Sequence, residues 1–262
     1  MLLIIVFLGA CSPNPNHKEN SSKPAPSSDS HELPPATTAE VAYSVSCIGP
    51  QHAQSPINIL SATTEHDAHQ VIINYLDQIN KIENLGHTVQ LDFEPGSTIQ
   101  QNGKIYAFKQ MHFHTPSEHL IDGITYPMEM HIVNQRIDQK EEGKAEYLVI
   151  AGLFKMGKES LFISEFIDAI PQKAPSTLSI ETGVVRLQDL LHGSPQEQMA
   201  NCYHYEGSLT TNPYTESVHW YVSKHIFEAS EEQIKRINLI EGDNARHVQA
   251  LYGRVVTKEI QQ

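Results

Sequence analysis

The chain has 262 residues, 18 Lys and Arg against 31 Asp and Glu for a formal charge of -13, and 39% hydrophobic residues. That is enough apolar material for a substantial core, which excludes a wholly disordered chain, and the acidic balance argues against nucleic acid as a partner, because phosphate affinity comes mainly from Lys and Arg. Three cysteines without a CxxC pair exclude a disulfide-framed scaffold, a zinc ribbon and a thioredoxin-like redox pair, whereas 15 histidines are an unusual supply of metal ligands and proton carriers.

Residues 1–10 (MLLIIVFLGA) are apolar and uncharged. They have the length of a signal-peptide core and fall short of the roughly 20 residues a spanning helix needs. Leu8-Gly9-Ala10-Cys11 resembles a bacterial lipoprotein processing site, which makes Cys11 the expected lipid attachment point and the only expected membrane contact. No Lys or Arg precedes the apolar run, so either the true start lies upstream or the signal is weak. Residues 11–40 are rich in Pro and Ser and carry almost no large apolar side chain, so they read as a flexible tether. The expected location is the bacterial cell envelope, lipid-anchored on the periplasmic side. In that oxidising space Cys47 and Cys202 can pair.

Residues 41–262 read as one mainly β domain with a few short helices. Period-two alternation marks strands at Thr88 to Phe93, Lys104 to Phe113 and Met128 to Val133. Glu94-Pro95-Gly96 and Asn102-Gly103 punctuate them as turns, the second a hairpin dipeptide. Tyr147 to Phe154 is apolar throughout and reads as a strand buried on both faces. Leu161 to Ile170 reads as a helix, and Ser230-Glu231-Glu232-Gln233 as a capping box that opens a second helix toward Ile240.

The chemistry concentrates at five residues. His112 and His114 are two apart in a strand, so both imidazoles lie on one face and can grip one ion. Glu129 and His131 stand in the same relation in the next strand, which places Glu129 to accept the second ring N–H of His131. Three neutral imidazoles suit zinc (Zn2+), and a fourth, open position marks a catalytic rather than a structural site. His112-x-His114-x-x-x-Glu118 also fits a cupin-like oxygenase or isomerase motif, in which Glu118 is itself a ligand and iron or manganese is usual. The cupin reading leaves the segment from Gly207 to Trp220 unexplained.

From Gln54 to Arg254 the sequence resembles the α-class carbonic anhydrases of the bacterial, secreted or lipoprotein type. The resemblance rests on QSPINI at 54–59, Gly86-His87, HFHTPSEH at 112–119, YPMEMH at 126–131, YEGSLTT at 205–211 with Trp220, and Asn244-x-Arg246 with Gln249. It implies a single domain around a large, twisted, mostly antiparallel sheet of about ten strands, at the upper end of ordinary sheet sizes. The implied reaction is reversible hydration of carbon dioxide to bicarbonate and a proton by zinc-bound hydroxide.

The resemblance also distributes roles. His112, His114 and His131 are the implied zinc ligands, with Gln110 and Glu129 orienting His112 and His131. Thr210 is the implied gatekeeper: it gives its one hydroxyl proton to ionised Glu118 and turns its lone pairs to the reacting oxygen. Val133, Ile150, Leu209, Val218 and Trp220 occupy the apolar pocket wall, with Gln90 and Thr211 on the wetter side. His87 is the implied proton shuttle, and His119 a buried partner of the Glu129 network. Tyr214 stands where many bacterial relatives place a half-cystine, so Cys47 is expected to pair with Cys202, stay free or bridge a homodimer. A different class of function on the same scaffold is a non-catalytic binding protein, which the presence of all three histidines disfavours.

Overall fold

The computed structural model describes residues 52–66, 71–138, 145–190 and 201–258. The apolar start at 1–10, the tether at 11–40 and Cys11 and Cys47 lie outside the described residues, so the Cys47–Cys202 pairing and the boundary at 41 are not visible there. Cys202 itself is buried.

Among the described residues one mixed sheet of 13 strands dominates. Its path runs β11 (Ser176–Ser179), β4 (Ile79–Asn84), β5 (Val89–Phe93), β7 (Lys104–His114), β9 (Met128–Arg136), β10 (Tyr147–Met156), β13 (Val218–Ser223), β12 (Cys202–Gly207), β15 (Thr257–Lys258) and β2 (Glu65–His66). β14 (Phe227–Ala229) pairs with β10, and β6 (Thr98–Gln101) bridges β3 (Val71–Asn74) to β7. β1 (Asn58–Ile59) and β8 (Leu120–Ile121) form a separate parallel pair. The long central neighbours β5, β7, β9 and β10 are antiparallel, while β10 pairs parallel with β13. The expected mostly antiparallel sheet is therefore present, and Asn102 and Gly103, both at positive φ, turn β6 into β7 as the hairpin dipeptide requires.

The sheet buries both faces along most of β10, which is why Tyr147 to Phe154 reads as a continuous apolar run, and the strand ends on exposed Lys155 and Met156. One face packs Val149, Ala151, Tyr205, Val218, Trp220 and Val222. The other packs Met111, Phe113, Leu148, Phe154 and Tyr221 against the short helices. A register shift in β7 between Phe108 and Gln110 changes which parity of residue faces which side. Before it Tyr106 and Phe108 join the second cluster; after it Met111 and Phe113 do, and Gln110, His112 and His114 turn to the first face. A bulge of this kind leaves one residue unpaired and re-aims the side chains beyond it.

The expected helix at Leu161 to Ile170 is broken. A single turn, α1 (Leu161–Ser164), capped by Ser160, gives way at Phe166 (φ -126°) to a tight 3-10 turn at Ile167–Ala169. Phe162, Ile163, Phe166, Ile167 and Ile170 all reach the core; their spacing is that of one helical stripe, which is why the segment reads as a helix, and the break at Phe166 leaves no mark in that pattern. The second helix, α2 (Glu231–Glu241), opens with the capping box read from sequence: Ser230 Oγ accepts from the Gln233 amide and Gln233 Oε1 from the Ser230 amide. Gln233 also bonds both backbone groups of Ser160, locking α2 to α1.

At its far end α2 places Glu241 against the strands that carry the histidines. Glu241 Oε2 accepts from the Val89 amide (3.3 Å) and Oε1 from the Thr115 hydroxyl (3.1 Å). Burial pushes its carboxyl up to about 8, more than the two donors lower it. A carboxyl raised on folding is protonated in the folded chain and ionised in the unfolded one between the ordinary value and about 8. Its contribution to stability is therefore full in acid and is lost as pH rises through that window. Glu241→Gln is expected to stabilise the protein at pH 8 by roughly 1–3 kcal/mol and to do little at pH 4.5. Thermal melts of the two proteins across that range check it; a gain independent of pH would contradict it.

Candidate metal centre

His112, His114 and His131 come together on the first face of the sheet. β7 and β9 pair with His112 directly opposite His131, and His114 lies two residues along the same face. The His112–His131, His112–His114 and His114–His131 ring centroids are 5.2, 5.0 and 4.6 Å apart, and one nitrogen from each ring lies within 4.8 Å of the others.

The rear nitrogens of His112 and His131 are held. His112 Nδ1 donates to Gln110 Oε1 (2.9 Å) and His131 Nε2 donates to Glu129 Oε1 (2.7 Å). The inward atoms are therefore His112 Nε2 and His131 Nδ1. Neither ring nitrogen of His114 has a hydrogen-bond partner among the described residues, and its Nε2 sits 3.6 Å from Glu118 Oε2. Asn244, whose side chain bonds the backbone of His87, Phe113 and Thr115, stands beside His114 and works weakly against the effect of its burial.

Burial, with repulsion between neighbouring rings, lowers all three imidazoles: His112 well below its ordinary value, His114 to about 3 and His131 to about 4. They are neutral, the state a metal ligand needs. Burial acts against ionisation of Glu129, but His119 and His131 outweigh it and hold that carboxyl well below the usual range. His119 Nδ1 donates to Glu129 Oε1 (2.6 Å), its backbone amide to Oε2 (2.7 Å), and its Nε2 lies 2.7 Å from the Tyr205 hydroxyl. Tyr205 donates to Ser55 Oγ, so His119 is part of a buried chain of hydrogen bonds and is turned away from the three converging nitrogens.

Glu118 is also buried, and burial followed by repulsion from Glu129 pushes it up to about 8. The Arg246 amide on Oε1 (2.9 Å) and the Thr210 hydroxyl favour its ionised form, while Oε2 has no hydrogen bond of good geometry among the described residues. A cation among the imidazoles would favour the carboxylate further. The orphaned His114 ring and Glu118 Oε2, with three neutral imidazoles of which His112 and His131 are held from behind, are a donor set that fits one tetrahedral ion bound through three nitrogens.

Thr210 is positioned by a reciprocal clasp. The Ser55 amide donates to Ser208 Oγ (2.9 Å) and the Ser208 amide to Ser55 Oγ (3.0 Å). A Cβ on Gly207 would stand 2.1 Å from Ser55 Oγ, so the clasp requires glycine there. Arg246 ties the same segment down, donating to the Ser55 carbonyl (2.7 Å) and Gln54 Oε1 (3.0 Å) and stacking on Tyr214. The clasp, Arg246 and Asn244 are functional positions that sequence reasoning matched to a family pattern without finding their contacts.

Around the histidines the wall is mostly as expected. Val133, Leu209, Val218 and Trp220 pack in one cluster, and the Trp220 ring lies 4.8 Å from that of His131. Gln90 pairs with His112 across β5 and β7, and its amide donates to Glu83 and Asp92. Thr211 is exposed. His87 is exposed too, with Nδ1 against the Leu85 carbonyl and its ring near enough to affect His112.

Ile150 is the exception. It pairs with Ile132 and Tyr221 and packs against the opposite cluster. Val149, one residue earlier, pairs with Val133 and Trp220 and belongs to the wall. A slip of one residue in a strand exchanges the faces, and an apolar run without alternation gives no sign of it.

A sequence profile of the family described as "Eukaryotic-type carbonic anhydrase" matches residues 39–260. The carbonic anhydrase of Neisseria gonorrhoeae is 36% identical over 208 residues, 78% of this chain and 76% of that protein. That of Pectobacterium carotovorum is 35% identical over 205 residues, 78% of each. The α-carbonic anhydrase of Thermovibrio ammonificans, solved with the inhibitor sulfanilamide, aligns with a TM-score of 0.71 at 32% identity over 79% of this chain and 88% of that one. A structure of dioscorin complexed with ascorbate aligns with a TM-score of 0.68 at 26% identity over 80% and 87%. The chain belongs to the eukaryotic-type, or α, carbonic anhydrase family. It is a carbonic anhydrase enzyme acting on carbon dioxide and bicarbonate, and nothing in these likenesses supports the cupin-like alternative.

The exchange of Ile150 for Val149 in the wall is directly testable. Val149→Tyr is expected to lower kcat/KM for CO2 hydration by about 100-fold or more, with metal content unchanged, because the ring fills the space beside Trp220. Ile150→Ala is expected to cost about 1–3 kcal/mol of stability and leave kcat/KM nearly intact. The opposite pattern would restore Ile150 to the pocket.

Proposed function

We propose that the centre holds one zinc ion on His112 Nε2, His114 Nε2 and His131 Nδ1 and hydrates carbon dioxide there, with His87 passing the released proton to solvent. The observation that carries this is the convergence of three neutral imidazoles, His112 half-buried and His114 and His131 buried, with the rear nitrogens of His112 and His131 held and one nitrogen of each ring drawn together beside Glu118. When bound, zinc supplies a Lewis acid that makes water ionise near neutral pH, a property for which carbonic anhydrase is itself the standard reference case.

The remaining work falls to the side chains. Gln110 and Glu129 fix the tautomers and orientations of His112 and His131. Glu118, ionised, accepts a hydrogen bond from the Thr210 hydroxyl, so Thr210 in turn accepts one from the nucleophilic oxygen and leaves a lone pair of that oxygen facing substrate. Val133, Val149, Leu209, Val218 and Trp220 give an apolar molecule a dry surface beside that oxygen. The exposure of His87 supports its taking up the proton and exchanging it with buffer.

The start of the chain supports a further reading: an envelope enzyme, tethered through lipid on Cys11, facing the periplasm. In stopped-flow assays the metal-replete protein is expected to hydrate CO2 well above background. His87→Ala is expected to slow turnover by about tenfold or more in dilute buffer and to recover with added imidazole. Background rates in the metal-replete protein would defeat the enzymatic reading; full turnover without His87 would assign the proton path to another group.

A further inference from the structure

The face of the sheet opposite the three histidines carries a second cluster built on the same plan. β12 and β13 pair antiparallel with Glu206 directly opposite His219, and His204, two residues before Glu206, opposite Tyr221. His204, Glu206, His219 and Tyr221 therefore share a face, while Tyr205, Val218 and Trp220 point the other way into the first cluster. One donor atom each from His204, Glu206 and His219 falls within 4.8 Å of the other two.

We propose that His204, Glu206 and His219 form a second divalent transition-metal site, with Glu146 orienting His219 from behind. Glu206 Oε1 lies 3.4 Å from His204 Nε2 and 2.7 Å from His219 Nδ1. Ligand atoms around a tetrahedral ion at ordinary zinc distances are about 3.3 Å apart, so the first spacing already fits. The second is a hydrogen bond that opens by about 0.6 Å when an ion replaces the proton on Nδ1, a shift within reach of a mobile carboxylate. That proton goes to solvent, and the ion takes up the Nδ1 lone pair.

The other nitrogen of His219, Nε2, donates to Glu146 Oε1 at 2.7 Å. Glu146 is itself fixed by Lys104 (2.7 Å), the Tyr106 hydroxyl (2.7 Å) and Arg136 (2.9 Å). A carboxylate behind a ligating imidazole sets its tautomer and strengthens its donation, as Glu129 does for His131. His204 Nδ1 faces the Thr257 hydroxyl at 3.5 Å, which leaves Nε2 on the side of Glu206. Two imidazoles and one carboxylate are a donor set for zinc or copper(II), with one position left for water. Glu206 is 58% exposed, so an ion enters directly from solvent. The bound ion would tie β12 to β13 and, through Glu146, to the start of β10, and so stabilise the folded chain by mass action.

The test uses the full chain stripped of metal with a chelator and dialysed against zinc, with bound metal counted by mass spectrometry. The quantity read is the difference between wild type and Glu206→Gln, a substitution at an exposed side chain whose folding is checked by circular dichroism. Wild type is expected to retain one equivalent more than Glu206→Gln. His204→Asn is expected to lose the same equivalent, and both variants to keep full CO2 hydration. Zinc beyond the first equivalent should raise the melting temperature of wild type and not of Glu206→Gln. His112→Ala should lose the other equivalent, together with hydration, so failure of the proposed catalytic centre is distinguishable from failure of this site. Equal metal content in wild type, Glu206→Gln and His204→Asn would overturn the proposal and leave His219 as a protonated bridge between Glu146 and Glu206.

Discussion

Burying three imidazoles and two carboxylates side by side is costly unless each polar atom has a partner, and the architecture of the domain follows from how that cost is met. Gln110, Glu129, His119, Tyr205 and Ser55 satisfy the rear atoms in turn, and Arg246 and Thr210 attend to Glu118. The atoms left over point at one another. Partners for these groups come from β7, β9, β12 and the segments around Ser55 and Arg246, which are far apart in sequence. The long-range sheet and the segment around Arg246 are thus required by the site as much as they support it.

Much of the domain was legible in the residues. The H-x-H and E-x-H pairs sit on strands, where period two settles their faces, and the Ser230 capping box and Asn102-Gly103 turn are local signals whose chemistry does not depend on the rest of the chain. The strand containing Tyr147 was visible as apolar, but its registration was not. An uninterrupted run offers no phase, and Ile150 was assigned the face that Val149 occupies. The bulge near Lys109 is written as a break in phase. Lys109 and Gln110 are polar in succession, and across them the core positions move from Tyr106 and Phe108 to Met111 and Phe113, a break that reading Lys104 to Phe113 as one alternating run passes over. Its physical effect is decisive, since it turns Gln110 and both histidines of β7 to the face of His131 on β9.

The fifteen histidines divide by location rather than by number. Three converge beside Glu118, His119 is structural, and His87 stands at the rim. His204 and His219 lie on the back of the same strands that wall the first centre, with Glu146 in the position relative to His219 that Glu129 holds relative to His131. An imidazole backed by a buried or half-buried carboxylate is a recurring unit in this sheet, and alternation lets one pair of strands carry it on both faces.

The central claim is that strand geometry directs three particular nitrogens to one ion and leaves Glu118 to hydrogen bonding. Crystals of the zinc-loaded protein, measured at the zinc absorption edge, test it most directly. An anomalous peak is expected about 2.0–2.1 Å from His112 Nε2, His114 Nε2 and His131 Nδ1, with Glu118 outside bonding distance. A peak ligated by Glu118, or none among these three imidazoles, would contradict it.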